Sequence, residues 1–451
     1  MNAAPRNWRS WLIAAAAVVI VGAIAWWLLL GPRALGFAGG HSVSLASYKG
    51  PSPVGVPAEL RSGDVIARGK YLTQAADCEV CHTRPGGQPF AGGLAFATPF
   101  GVLYSPNITA DAVTGIGAWT DADFLRAVHQ GVAKDGQRLY PAFPYESYTL
   151  IADDDVLAIK AYLFSLPIAH AVAPPNNLRF PFNQRWLMGI WDAFYNPDQR
   201  FQPHEDRSGE WNRGAYLVEA LAHCGDCHTP RNLAQALDNR RKFAGAVVTG
   251  WRAYNITPDV ASGIGTWSDE DLVQYLHSGH AAGHGSAGGP MGEEVAASSS
   301  NLAAEDLHAI VIYLRSIPAV RTQDLPPVRT EAAPDSPKQM QTAFDPRGKA
   351  IFAGACASCH GWSGVSLVTD YATLTGDRAV NDRTAMNVVQ IILSGGHGPR
   401  GQGFALMPAF GAAYSDAEIA AVANYVTARF GAEPSRLTAQ DVARSRQLSP
   451  Q

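Results

Sequence analysis

All six cysteines of the chain fall in pairs with two residues between them, and each pair is followed at once by histidine. The three sets are Cys78, Cys81 and His82; Cys224, Cys227 and His228; and Cys356, Cys359 and His360. Two thiols at this spacing lie on one helical turn and can each add to a haem vinyl group. The histidine that follows then offers an imidazole nitrogen to the iron, which is the c-type attachment pattern. Three disulfides would leave the three histidines unexplained, as would thioredoxin-like pairs. Structural zinc needs two such pairs converging on one ion, yet successive pairs start more than 130 residues apart, at Cys78, Cys224 and Cys356. The residues therefore call for three covalently bound haems c, with His82, His228 and His360 as proximal ligands.

A low-spin haem electron carrier takes a second axial ligand, and methionine in that place raises the reduction potential. Met291 follows His228 by 63 residues and Met407 follows His360 by 47, both after glycine-rich loops. These two are the expected distal ligands. Met188 and Met340 fall in connecting segments, and Met386 in an apolar helical run. The first unit has Phe143 where the second has Met291, and phenylalanine cannot bind iron. The first iron is then open, or it is reached by His129, His170 or Met188. The cluster His277, His280 and His284 reads as a glycine-rich loop framing Met291 rather than a metal site, and His397 plays the same part in the third unit.

The elements that position these groups repeat along the chain. "RGKYLTQAADCEVCHT" and "NITADAVTGIGAWTDADF" in the first unit answer to "RGAYLVEALAHCGDCHT" and "NITPDVASGIGTWSDEDL" in the second. Asn107 and Asn255, and Trp119 and Trp267, are each 148 residues apart, and so are Phe143 and Met291. The third unit opens "RGKAIFAGACASCHG" and lacks the Asn-Ile-Thr block. That block matches a glycosylation sequon, but a repeated turn beside the haem explains its recurrence better. Thr120 with Asp123, and Ser268 with Asp271, have capping-box spacing. Proline stops an apolar helical pattern at Pro167 and again at Pro318.

The chain has 451 residues, a net charge of −4 and no basic stripe, which argues against a nucleic-acid partner. Only 16% of residues are charged, against about a quarter in ordinary domains. Leu12 to Leu30 is an uncharged apolar run of nineteen residues, a length that matches a bilayer core of about 30 Å. Arg6 and Arg9 precede it and would keep the N-terminus cytoplasmic. Trp8, Trp11, Trp26 and Trp27 would sit at the interfaces. A cleaved signal ending near Gly36–Ala38 is the alternative, although signal cores usually run about 7–15 residues.

The motifs "CEVCHT…FAGG…ATPFG…LYPAFPYESY" and "WNRGAYLVEALAHCGDCHTPRN…GGPM" resemble the triple-haem cytochrome c subunits of membrane-bound dehydrogenases of acetic acid bacteria and related proteobacteria. The resemblance covers roughly residues 60–430. It implies a mainly α fold of three tandem cytochrome c-like domains after one N-terminal transmembrane helix. The expected boundaries are 1–35 for the anchor, 60–168, 209–318 and 344–432 for the domains, 169–208 and 319–343 for the connectors, and 433–451 for a loose polar tail. The resemblance also implies a catalytic dehydrogenase partner and passage of electrons to ubiquinone or a terminal oxidase. Partners in the family carry molybdopterin with iron–sulfur clusters, pyrroloquinoline quinone (PQQ), or flavin. The alcohol-dehydrogenase members read "YPAMPY" where this chain has Phe143, and they have a cleaved signal. Both departures look more like the molybdopterin aldehyde-dehydrogenase branch.

The expected function is electron relay at the inner membrane, with the globular part in the periplasm. Two alternatives stand beside it. One is a peroxidase-like haem enzyme at an open first site. The other is a cytochrome subunit of a terminal oxidase.

Overall fold

A computed structural model describes residues 8–29, 42–44, 63–196, 198–334, 345–396 and 407–448. Helix α1 (Trp8–Leu29) holds the apolar run, and its window Trp11–Leu28 is 0% buried. Strand β1 (Ser42–Ser44) follows. The first repeat then runs α2 (Val65–Ala75), α3 (Cys78–His82), β2 (Ala95–Thr98), β3 (Gly101–Tyr104), α4 (Asp121–Gln130), α5 (Tyr145–Tyr148) and α6 (Asp153–Ser165). The segment expected as a plain connector carries β4 (Asn177–Leu178), α7 (Leu187–Tyr195) and β5 (Gln199–Phe201). It is stitched back by pairing, β4 to β3 and β5 to β1.

The second repeat restates the order: α8 (Gly209–Tyr216), α9 (Cys224–His228), β6 (Ala246–Val248), β7 (Trp251–Ala253) and α10 (Asp269–Ser278). A small hairpin, β8 (His280–Ala281) with β9 (Gly285–Ser286), precedes α11 (Pro290–Ala297) and α12 (Ala304–Ser316). The third is built from α13 (Pro346–Ile351), α14 (Ala357–His360), α15 (Met386–Ser394), α16 (Asp416–Phe430) and α17 (Ala439–Leu448).

Local chemistry sets the helix ends. Both expected capping boxes form, Thr120 with Asp123 on α4 and Ser268 with Asp271 on α10, and Ser415 with Glu418 makes a third on α16. Gly131 and Gly279 end α4 and α10 in the left-handed region, where glycine carries no Cβ penalty.

The same helix crossing occurs three times. A Cβ on Gly69 of α2 would stand 1.9 Å from the Ala158 carbonyl oxygen of α6. The corresponding distances are 1.9 Å from Gly214 to Ala309 and 2.2 Å from Gly348 to Ala421. Only glycine lets these backbones meet so closely. One turn on, the opposing helix presents a tyrosine each time: Tyr162, Tyr313 and Tyr425.

Repeats one and two share one hydrophobic core, and the third has its own. The first two are joined by a reciprocal polar seam. Tyr71 donates to Asp306 Oδ2 at 2.5 Å and accepts from Ala303 N, while Tyr216 donates to Asp155 Oδ2 at 2.7 Å and accepts from Ala152 N. Each aspartate also holds an arginine of the helix it crosses, Arg213 on Asp306 and Arg68 on Asp155. The seam repeats itself with the two partners exchanged, as a pseudo-twofold contact would.

The third unit docks on the second. Arg252 N donates to Asn387 Oδ1 at 2.7 Å, Asn387 Nδ2 returns a bond to Arg252 O at 2.9 Å, and the Arg252 guanidinium reaches Asp382. The C-terminal stretch expected to be loose instead forms α17. Thr438 and Asp441 bond each other at its start, and Val442 is fully buried. A single well-placed valine and a cap are too small a signal to stand out in a polar sequence.

Candidate functional site

The first two Cys-x-x-Cys-His motifs each lie on one short helical turn, and the third runs from the end of a π-turn, at Cys356, into α14. The first two turns are entered through a left-handed residue, Asp77 (φ 51°) and His223 (φ 37°). The third is entered through a π-turn, Phe352–Cys356. None of the six cysteines is bonded to another. Burial raises the thiols, Cys81 and Cys227 to about 12 and Cys356 to about 11, so these are not activated thiolates.

The histidines share one arrangement. His82 Nδ1 is 2.8 Å from the Pro106 carbonyl, His228 Nδ1 is 2.6 Å from that of Tyr254, and His360 Nδ1 is 2.6 Å from that of Ala372. A carbonyl only accepts, so Nδ1 carries the proton and Nε2 keeps its lone pair for a metal. This is the usual support of a ligating histidine. Burial holds all three imidazoles below their ordinary pKa, in the neutral form that binds iron. The donor set of two free thiols and one oriented neutral imidazole therefore fits a c-type haem at each position.

The sequence signals around the motifs explain how the carbonyls are placed. Gly92 N donates to His82 O and Gly245 N to His228 O, each at 2.7 Å. A Cβ on Gly92 would lie 2.4 Å from the carbonyl of Pro106, so the glycine lets the ligand's partner strand come close. The Asn-Ile-Thr block is the turn just after that carbonyl. Asn107 Oδ1 accepts from Thr109 N and Oγ1, and its Nδ2 donates to Thr114 Oγ1 and Ala169 O. Asn255 makes the same bonds to Thr257, Ser262 and Val320. Both amides are buried and fully used, which suits a structural turn and not a sugar acceptor.

Phe143 packs in the shared core, its ring 5.5 Å from that of Tyr148. Met291 opens α11, and Met407 packs against the core of the third unit. His129 has both ring nitrogens engaged, Nε2 on Ile151 O and Nδ1 accepting from Arg200, so it has no lone pair left for the first iron. His170 sits on the surface, 3.3 Å from Asp111. Met188 lies in α7. His280 stacks on Tyr371 with Nδ1 on Ser286, and His284 stacks on Trp267 with Nε2 3.4 Å from Asp271, so the two rings are directed to different neighbours. Met340 and His397 lie outside the described residues.

The first two motifs face one another across the repeats. Ser147 of α5 donates to Asp226 of the second motif at 3.0 Å, and Arg231 bridges Glu146 and Asp226. Tyr148 donates to Ala76 O beside the first motif, while its ring meets His223 beside the second at 5.4 Å. Reciprocally, α11 packs on α3. Sequence reasoning missed the carbonyl partners Pro106, Tyr254 and Ala372, since a backbone acceptor leaves no mark in residue type. It also missed the Tyr–Asp seam, which could have been sought in the paired recurrence of "RGKY" and "RGAY".

Comparison with known proteins adds the following. Residues 344–426 match the family described as cytochrome c oxidase, cbb3-type, subunit III. The chain is 38% identical over 407 residues to the gluconate 2-dehydrogenase cytochrome c subunit of Pantoea cypripedii, covering 84% of this chain and 89% of that one. It is 38% identical over 401 residues to the fructose dehydrogenase cytochrome subunit of Gluconobacter japonicus, covering 84% and 82%. It is 39% identical over 374 residues to a nicotinate dehydrogenase chain of Pseudomonas putida, covering 82% of this chain but 31% of that protein, so it spans about a third of that relative.

Proposed function

Because the chain belongs to the family of cytochrome c subunits of membrane-bound dehydrogenases, we propose that it is an electron-transfer subunit with three haems c, one at each Cys-x-x-Cys-His motif, in three tandem cytochrome c domains. The observation that carries this reading is the threefold recurrence of a neutral histidine pinned through Nδ1 to a backbone carbonyl, beside two free thiols. The glycine-mediated crossing of α2 with α6, α8 with α12 and α13 with α16 supports the count.

Once bound, the haems supply one-electron chemistry, the iron alternating between ferric and ferrous. His82, His228 and His360 would hold the iron, and Met291 and Met407 would be the further ligands at the second and third sites. Phe143 supplies none, both ring nitrogens of His129 are bonded, His170 stands on the surface beside Asp111 and Met188 lies in α7, so we read the first site as open or weakly ligated. A peroxidase-like role there would need an acid–base pair. The Tyr148 hydroxyl is already given to Ala76 O and both nitrogens of His129 are spent, which counts against it.

The partner is a catalytic dehydrogenase subunit. The molybdopterin aldehyde or N-heterocycle type is preferred, on Phe143 and the retained anchor, over the PQQ alcohol type. We place α1 in the inner membrane and the globular part in the periplasm, delivering electrons to ubiquinone or a terminal oxidase.

Two measurements test the proposal. Intact mass should exceed that of the polypeptide by three haem groups, and a bare polypeptide mass would end it. Gentle membrane extraction through this chain should bring down a dehydrogenase whose substrate, offered as acetaldehyde, nicotinate, gluconate or ethanol, reduces the haems. Co-purification with an integral haem–copper protein alone would reverse the assignment.

A further inference from the structure

We infer that the outer face of α7 is a bilayer-seating surface that lies on the lipid headgroups beside the end of α1. Trp186, which caps the helix, and Ile190 and Phe194 within it recur every four residues and are 64%, 52% and 57% exposed. Phe180, just upstream, is 79% exposed. At this spacing the three side chains form one apolar stripe along the helix, and an uncovered stripe of large apolar groups marks a binding surface.

The opposite face of the same helix is fixed firmly. Asp192 accepts from Arg138 at 2.6 Å, Trp191 Nε1 donates to Ala234 O at 2.9 Å, and Tyr195 is buried. The stripe is thus held out on a rigid support and is not a frayed end. The loop that receives Trp191 also points to the occupant. Within residues 231–241 it carries Leu233, 74% exposed, and Arg240, whose guanidinium lies 5.3 Å over the ring of Trp27. Trp27 closes the apolar helix α1. The stripe and the exit point of the anchor therefore share one loop, and the surface that covers one borders the other. Aromatic and aliphatic groups on a short amphipathic helix, flanked by arginine, suit the headgroup–acyl boundary. Arg179, exposed just before Phe180, provides that flank, while Arg185 is turned inward onto the Arg138 carbonyl and the ring of Tyr140.

The inference rests on reading α1 as a retained anchor, and the test separates the two. In the full haem-loaded chain the native cysteines are consumed by attachment, so an introduced cysteine is the single free thiol. Ile190→Cys, Ile20→Cys and Leu367→Cys would each be labelled with a nitroxide, with the chain reconstituted in phosphatidylethanolamine–phosphatidylglycerol vesicles. Relaxation by oxygen and by a nickel chelate would then be compared. Phe194→Cys is a second reporter should Ile190→Cys misfold, as judged by its haem spectrum.

The expected result is oxygen over nickel at positions 190 and 20, and nickel over oxygen at 367. An aqueous signal at 190 with a lipid signal at 20 would overturn the inference and leave the anchor standing. An aqueous signal at 20 as well would remove the anchor with it. A lipid signal at all three positions would mean non-specific adsorption and would also overturn it. So would a label at 190 that is aqueous in vesicles and becomes shielded only when a dehydrogenase subunit is added.

Discussion

At the scale of single residues, the chemistry of each site turns on what the second axial position offers. Phe143 stands where Met291 stands in the next repeat, and its ring fills the space against Tyr148 with carbon only. Phe143→Met should therefore convert the first site to thioether ligation. The far-red methionine–iron band would grow and carbon monoxide binding would fall, both read by absorption spectroscopy. Glu294 gives a second prediction. Its carboxyl lies beside the motifs and is raised from 4.5 to about 7, burial outweighing the bond from Ser299. The folded protein then binds more protons than the unfolded chain between those values. Stability should fall as pH rises from about 4.5 to about 7 and level off above. Melting curves across that window would show it, and Glu294→Gln should flatten the slope.

At the scale of elements, the Tyr–Asp–Arg seam decides whether repeats one and two behave as one body. Arg213 and Asp306 are both buried, with side chains 9% and 2% exposed. Asp306→Ala would strand the guanidinium in the seam and should cost about 3–5 kcal/mol, the usual penalty for breaking a buried pair from one side. Tyr71→Phe keeps the ion pair and removes one donor to it, and should cost about 1–3 kcal/mol. Denaturant unfolding followed at the haem bands would compare the two variants. The order of effects is the informative part, because a surface pair would show neither.

At the scale of the whole molecule, one core runs through repeats one and two while the third unit has a separate core, docked through Arg252 and Asn387. Calorimetry should show two transitions, the larger belonging to the fused pair. Arg252→Ala should move them further apart by loosening the dock. The fusion also sets the geometry around the motifs, since α5 of one repeat packs by the second motif and α11 of the other packs by the first.

The residues we propose for haem attachment stand out in the chain alone, because thioether formation demands two thiols and a histidine at one spacing whatever surrounds them. The repeat, the apolar helix and the capping boxes were legible for the same reason, being local patterns of residue type. The carbonyl that orients each histidine, the exhaustion of His129 and the order in the C-terminal tail were settled only by tertiary structure. Backbone acceptors look alike in every residue, and a histidine's free nitrogens depend on neighbours such as Arg200, 71 residues away in sequence. The reciprocal seam belongs to the same class: Tyr71 and Asp306 are 235 residues apart, and only folding places one against the other.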